Sequence, residues 1–292
     1  MKRFLLFALL LLVFLTGCRN GSSNSYRKGL ALYDNNNYYG AINMFSKAIR
    51  LDSSNLMAYS YRGNAWQKLE MYNAAAHDFS LVVKKDPNNI RALINLGDCY
   101  FKLGNVDSAL NAFNTAYSVD NEFELINYNL GVCYFENGEY EKALEHFNKE
   151  YELDDNNVEN IFYIAHTLGL LGNLDASIKT ATNGLAKKEL AEGYFIRGCV
   201  YFSMSDYNSA LFDQNKAIEM NPNDPEFYIK RSAIFGINKE YEKALIDCEK
   251  ALELDSNFID AYKTRILINK ELGNYEKVKI DSLKIEQLLM HN

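Results

Sequence analysis

From residue 22 onward, apolar and polar positions alternate with the helical period of three to four residues. Tyr59, Gly63 and Trp66 share one face of a first helix, and Ala75, Phe79 and Val82 share one face of a second. The short breaks between such helices read Leu69-Glu70-Met71, Leu103-Gly104-Asn105, Asn137-Gly138-Glu139 and Leu171-Gly172-Asn173. Glycine and asparagine suit them because both tolerate the left-handed backbone that ends a helix. Longer breaks, Asp86-Pro87-Asn88-Asn89, Asp154-Asp155-Asn156-Asn157 and Asn221-Pro222-Asn223-Asp224, stop one helix and offer side-chain caps to the next.

The pattern then recurs. Gly29, Gly63, Gly97 and Gly131 are 34 residues apart; the series runs on through Ala165, takes one step of 33 to Gly198, and returns to 34 at Ser232. Ala41, Ala75, Ala109, Ala143, Ser177, Ala210, Ala244 and Val278 move in parallel, as do Tyr38, Tyr72, Val106, Tyr140, Leu174, Tyr207, Tyr241 and Tyr275. The short step falls at the same place in all three series, which marks one unit copied along the chain. The register predicts seven helix pairs starting near Ser22, Leu56, Ile90, Glu124, Val158, Ala191 and Pro225. An eighth, from Ile259, departs at Ile266, Asn269 and Ser282 and reads as a terminal cap whose last helix, Lys277 to Met290, turns a polar side outward. The fifth pair is irregular, with Ala165, Ser177, Ala181 and Gly184 at slots that are usually larger or better packed. It also holds the lost residue near Lys187-Lys188-Glu189, so a local bend or a weaker joint is expected there.

These units resemble tetratricopeptide repeats. Unit two carries Tyr59, Gly63, Trp66, Ala75, Phe79 and Pro87 in the family's slots, unit three Leu93, Leu96, Gly97, Tyr100, Ala109 and Phe113, and unit four Leu130, Gly131, Tyr134, Ala143 and Phe147. The resemblance spans residues 22–290 and implies an all-α fold: a right-handed superhelical solenoid of antiparallel helix pairs, about seven units plus a C-terminal capping pair. Size alternation supplies the physical logic. Small residues let paired helices approach, rings fill the space beside them, and no unit buries both of its faces alone.

The N-terminus is built differently. Met1-Lys2-Arg3 precedes an apolar run from Phe4 to Leu15, followed by Thr16-Gly17-Cys18. A basic start, a short apolar stretch and small residues describe a secretory signal peptide over 1–17. The run is shorter than the roughly 20 residues a spanning helix needs. Leu15-Thr16-Gly17-Cys18 resembles the lipobox of bacterial lipoproteins, which implies cleavage before Cys18 and a covalent lipid on that cysteine. Residues 18–21 then form the lipidated cysteine and a short linker. With two or three acyl chains, hydrocarbon burial alone holds such a protein at a membrane. Arg19 stands where many lipoproteins kept at the inner membrane carry aspartate, so an envelope location is expected, at the outer membrane where a cell has two.

Charge and chemistry narrow the function. The net charge of −7 and the lack of a long basic tract leave nucleic-acid phosphates without an electrostatic footing. The four histidines, His77, His146, His166 and His291, lie in separate units without metal-ligand spacing. Paired acids such as Asp154-Asp155 sit in connectors, where capping accounts for them. The glycines follow the repeat and form no phosphate-cradling loop. Cys99, Cys133, Cys199 and Cys248 contain no Cys-x-x-Cys pair and read as small core residues with free thiols. No catalytic residue, metal or cofactor beyond the lipid at Cys18 is expected.

In the family resembled here, first helices line the concave side and hold peptide segments. The matching slots place Phe101, Tyr128, Phe135, Phe162, Phe195 and Phe202 toward that face. Aromatic linings suit apolar or extended peptide partners, although the same rings could instead pack between neighbouring repeats. Asn64 and Asn95 match asparagines of the clamp with which some relatives hold a terminal carboxylate. Ser60, Leu125 and Asn129 stand at its basic slots, so that clamp is not expected. The leading reading is a membrane-anchored scaffold for protein–protein interactions in the bacterial envelope. The alternative is a surface lipoprotein that binds nutrients or glycans, since rings also stack on sugars.

Overall fold

The computed structural model describes residues 21–290, so the signal segment 1–17 and the lipid site Cys18 lie outside the described residues. All regular structure within that range is helical. The first three helix pairs are α1 (21–34) with α2 (Tyr38–Leu51), α3 (Leu56–Lys68) with α4 (Tyr72–Lys85), and α5 (Ile90–Lys102) with α6 (Val106–Val119). The next three are α7 (Ile126–Glu136) with α8 (Tyr140–Leu153), α9 (Val158–Leu170) with α10 (Leu174–Lys187), and α11 (Ala191–Ser203) with α12 (Tyr207–Met220). The last two are α13 (Pro225–Ile237) with α14 (Tyr241–Leu254) and α15 (Ile259–Glu271) with α16 (Tyr275–Met290). Consecutive helices pair antiparallel, as expected. The chain divides into two compact units, Met1–His146 and Phe147–Asn292.

Helix ends follow the repeat. Asn37, Asn55, Asn89, Asn105, Asn157, Asp206 and Asp224 accept from backbone amides of the helices they open. Within each pair the turn passes through one left-handed residue: Asn36, Glu70, Gly104, Gly138, Gly172, Ser205, Lys239 and Gly273. That series also steps by 34, with 33 between Gly172 and Ser205. The lost residue is therefore absorbed in the linker from Lys188 to Leu190, while α10 and α11 keep 14 and 13 residues. Leu190 gives α11 no side-chain cap, so this joint lacks a support that most others have. Leu125 is the irregular position: it is left-handed (φ 61°) immediately before α7, and the helix starts two residues later than the repeat register predicts.

The core of the N-terminal unit comes from one ring per pair. Phe45, Phe79 and Phe113 on α2, α4 and α6 are nearly inaccessible and lie against Gly29, Gly63 and Gly97 of their own first helices. A Cβ on Gly63 would stand 2.8 Å from the Phe79 ring, so only glycine permits that approach.

The C-terminal unit opens with the same ring, Phe147, which stacks on Tyr163 at 5.1 Å. The following slots then hold Ala181, Gln214, Cys248 and Ser282. Each loss is met differently. In the fifth pair Phe162 turns inward from α9 and packs with Ala165, Ala181, Leu185 and Ile196. A Cβ on Gly184 would meet that ring at 2.6 Å. In the seventh pair Ser232 donates to the Ala244 carbonyl at 2.8 Å and lies 3.2 Å from Cys248 Sγ.

One expectation is corrected. The outer side of α16 is mixed rather than polar: Ile280, Leu283, Leu289 and Met290 are exposed together with Glu276, Lys277, Lys279, Glu286 and Gln287. Ile280 also continues a short series. Its slot holds Phe212 and Ile246, likewise exposed, on α12 and α14, and Asn43, His77, Asn111, Glu145 and Lys179 in the first five pairs.

Candidate functional site

The expected binding face is made by first helices, so its continuity depends on whether those helices neighbour one another. In the N-terminal unit α3 packs on α5; in the C-terminal unit α9 packs on α11, α11 on α13 and α13 on α15. The C-terminal unit therefore presents a run of first helices side by side, and in the N-terminal unit the second and third pairs bring their first helices together.

In the N-terminal unit, Phe101 on α5 and Tyr128 and Phe135 on α7 are half-buried. Phe101 rests on the core cluster around Leu93 and Phe113, which fixes its base and leaves part of the ring to solvent. Phe135 meets Tyr140 edge-on with centroids 5.5 Å apart. A polar patch joins α3 to α5. Asn95 Nδ2 donates to Asn64 Oδ1 at 3.1 Å, and Gln67 Nε2 donates to the Asn95 carbonyl at 3.4 Å. Asp98 sits next to them, and burial pushes its carboxyl up to about 6 although the Lys102 charge opposes the shift.

The C-terminal unit treats its three candidates unequally. Phe162 is 4% exposed and belongs to the core, because it fills the space left at Ala181. Phe195 stays half-buried against Phe227, with centroids 4.8 Å apart. Phe202 is half-buried and meets Tyr207 edge-on at 5.6 Å. Phe202 also walls a cavity of about 180 Å³ between α11, α12 and α13, together with Cys199, Ser203, Gln214, Lys230, Ala233 and Ile234. Burial first, and then the nearby Lys230 charge, hold His166 below the usual imidazole range.

The four described cysteines are not primed as nucleophiles. Burial pushes the thiols of Cys99 and Cys133 up to about 12 and those of Cys199 and Cys248 to about 11, far from a nucleophilic thiolate at neutral pH. All four are free, and three are fully buried, as small core residues should be. Among the described residues no group of histidine, cysteine and carboxylate side chains has the geometry of a metal site, and no helix is long and apolar enough to cross a membrane.

One recurring constellation escaped the sequence reading. Arg62, Arg197, Arg231 and Arg265 each grip an aspartate sixteen residues on, Asp78, Asp213, Asp247 and Asp281, through two hydrogen bonds of 2.6–2.9 Å. The aspartates are buried, and each guanidinium lies over a tyrosine three residues before it: Tyr59, Tyr194, Tyr228 or Tyr262. Arg62, Arg197 and Arg231 also reach back to Ser46, Thr182 and Asn215 of the preceding pair. These triads tie the two helices of a pair together, and three of the four tie neighbouring pairs as well. The signal was present in the 34-residue spacing of Arg197, Arg231 and Arg265.

Models of the tetratricopeptide repeat match residues 23–55, 68–116, 100–158, 191–224 and 225–258, together more than half of the chain. No curated protein matches the chain by sequence. Among solved structures, a tetratricopeptide repeat protein from Parabacteroides merdae superposes with a TM-score of 0.72 at 21% identity, covering 85% of this chain and 99% of the other. Pseudomonas aeruginosa pilF superposes at 0.60 with 17% identity, over 72% of this chain and 96% of the other. The APC/C hetero-tetramer Cut9–Hcn1 superposes at 0.63 with 16% identity, over 79% and 52%. At these identities the likeness concerns the fold.

Proposed function

Since the chain belongs to the tetratricopeptide repeat family, we propose that it is a lipid-anchored adaptor of the bacterial cell envelope that holds proteins or extended peptide segments along its first helices. The fold is that of a protein–protein interaction scaffold. The observation that supports the finer reading is the set of half-buried rings Phe101, Tyr128 and Phe135 on the first helices α5 and α7, with the amides of Asn64 and Asn95 on the first helices α3 and α5. Rings held at their base and open at their edge give large contact area at little cost in side-chain entropy, which is why aromatics dominate protein interfaces. Side-chain amides on first helices match the donors and acceptors of an extended backbone.

A glycan site is the weaker reading. Sugar stacking needs open ring faces, whereas Phe162 is buried and Phe195 lies against Phe227. The anchor rests on Leu15-Thr16-Gly17-Cys18 at the end of the apolar run. Two or three acyl chains, at about 0.8 kcal/mol per buried methylene, fix the chain to a bilayer without a basic patch.

Two measurements test this. Cells labelled with radioactive palmitate should transfer label to the wild type and none to Cys18→Ser. Phe101→Ala combined with Phe135→Ala should lose proteins crosslinked to the wild type in intact cells while keeping the wild-type circular dichroism. A variant that keeps its full set of crosslinked proteins would remove this face from the account, and a wild type that takes up no label would remove the anchor.

A further inference from the structure

Asp78, Asp213, Asp247 and Asp281 are matched by the chain itself, each gripped through both oxygens by an arginine sixteen residues earlier. Asp98 on α5 is treated differently. It is half-buried and, among the described residues, has no hydrogen-bond or ion-pair partner. The amides around it are engaged elsewhere, Asn95 Nδ2 on Asn64 Oδ1 at 3.1 Å and Gln67 Nε2 on the Asn95 carbonyl at 3.4 Å. Lys102, one turn further along α5, acts on the carboxylate through its field and makes no ion pair with it. The repeat does not call for a charge at this slot either, since other pairs fill it with Leu30, Asn64, Val132, Cys199 and Ala233.

A partly desolvated charge without a counter-ion is costly, so a cation that reaches it gains more than at a fully hydrated carboxylate. This one can be reached. Asn160 Oδ1 and Gln214 Oε1 are sealed from solvent without a partner, whereas the Asp98 oxygens keep contact with it. Burial raises the Asp98 carboxyl to about 6, which leaves it ionised at neutral pH. Asn95, Asp98 and Phe101 follow at three-residue spacing and so share one face of α5, where Phe101 leaves part of its ring to solvent. A guanidinium can hydrogen-bond both oxygens of a carboxylate and lie flat against a ring, whereas an ammonium acts as a point charge. The chain already builds that arrangement internally from Tyr194, Arg197 and Asp213.

We propose that Asp98 receives the guanidinium of an arginine side chain in the bound protein segment, with its carboxylate oxygens accepting from the guanidinium and the Phe101 ring packing against the plane of that group. The partner thereby supplies the arginine that the chain withholds from Asp98. Lys102 is exposed and yields to a planar cation that makes two hydrogen bonds at once. The proposal gives the partner of the adaptor reading a chemistry, and it rests on that reading for the source of the arginine.

The test is a titration of the full chain at neutral pH with N-acetyl-argininamide and with N-acetyl-citrullinamide, its uncharged isostere, followed at the backbone amide resonances of Asp98 and Phe101. The arginine amide should shift both signals and bind about tenfold more tightly than the citrulline amide, the worth of charge in such a hydrogen bond. N-acetyl-lysinamide should bind more weakly than the arginine amide. Asp98→Asn, which places at this slot the residue that Asn64 supplies in the second pair, should keep the wild-type circular dichroism and erase the preference for arginine over citrulline. Equal binding of those two amides, a lysine amide as tight as arginine, a preference that survives Asp98→Asn, or no shift at millimolar probe would overturn the proposal. If it fails while Phe101→Ala with Phe135→Ala still loses crosslinked proteins, the adaptor reading stands alone. If the titration succeeds and that variant loses nothing, the carboxylate site stands without it.

Discussion

Single residues in this chain are best understood by what the same slot holds elsewhere. Phe162 occupies a slot that is half-buried in most other pairs, yet here it is buried in the core because Ala181 leaves a gap behind it. Phe162→Ala should therefore cost about 3–5 kcal/mol of stability, as expected for a lost core ring, with the largest effect seen in thermal or urea unfolding. Lys239 is an exposed side chain at a left-handed turn position (φ 62°) that glycine fills at Gly104, Gly138, Gly172 and Gly273. Left-handed backbone costs a side-chain-bearing residue about 1–2 kcal/mol, and glycine's freedom in the unfolded chain offsets part of the gain. Lys239→Gly should thus stabilise by about 0.5–1 kcal/mol, read as a raised denaturation midpoint.

Asp98 adds a pH dependence whose sign is unusual for a carboxylate. Burial raises its folded pKa to about 6, above the unfolded value, so the folded state binds more protons between about pH 4 and 6. Its contribution to stability therefore falls as pH rises through that window and stays low above it. Asp98→Asn, which carries no charge, should be more stable than the wild type at pH 8 by on the order of 1–2 kcal/mol. That advantage should disappear at pH 4, which paired unfolding curves at the two pH values will show.

At the scale of the helix pair, two solutions to one packing problem coexist. Pairs two, six, seven and eight join their helices with a tyrosine, an arginine and a buried aspartate, whereas the third places Leu93, Leu96 and Ala112 at the same slots. Breaking such a pair by removing one partner strands a buried charge and costs about 3–5 kcal/mol, while apolar replacement of both is close to neutral. Arg197→Leu alone should be strongly destabilising, and Arg197→Leu with Asp213→Ala should recover most of the loss in a double-mutant cycle. A double variant no better than the single one would mean the pair contributes through something other than charge matching.

The helix pairs themselves were legible in the sequence. Small residues at Gly63 or Ala75 and the ring before them recur at fixed spacing because each pair needs the same close approach. The position of the lost residue could also be read, since a linker absorbs a deletion that a helix would not. Other features depended on relations between slots. Phe162 reads as an outward ring until Ala181 is compared with Phe147, and Gln214 reads as an ordinary polar residue until the same comparison exposes a missing ring. The Arg–Asp links connect residues sixteen apart on different helices, where helical periodicity along one helix carries no signal. The outer side of α16 was misjudged because charged residues in Tyr275–Met290 alternate with Ile280, Leu283 and Leu289, and only packing decides which are covered.

Across the whole molecule, stability and function draw on the same fact. A pair of helices cannot bury both of its faces, so pairs stack on their neighbours. First helices carry the half-buried rings, whereas second helices supply most of the core phenylalanines. Site-specific photocrosslinking in intact cells tests this division most directly, with the photoreactive residue placed at Phe101 or Phe135 on first helices and at His77 or Asn111 on second helices. The account predicts discrete protein adducts from Phe101 and Phe135 and none from His77 and Asn111. Adducts formed only from His77 and Asn111 would contradict it.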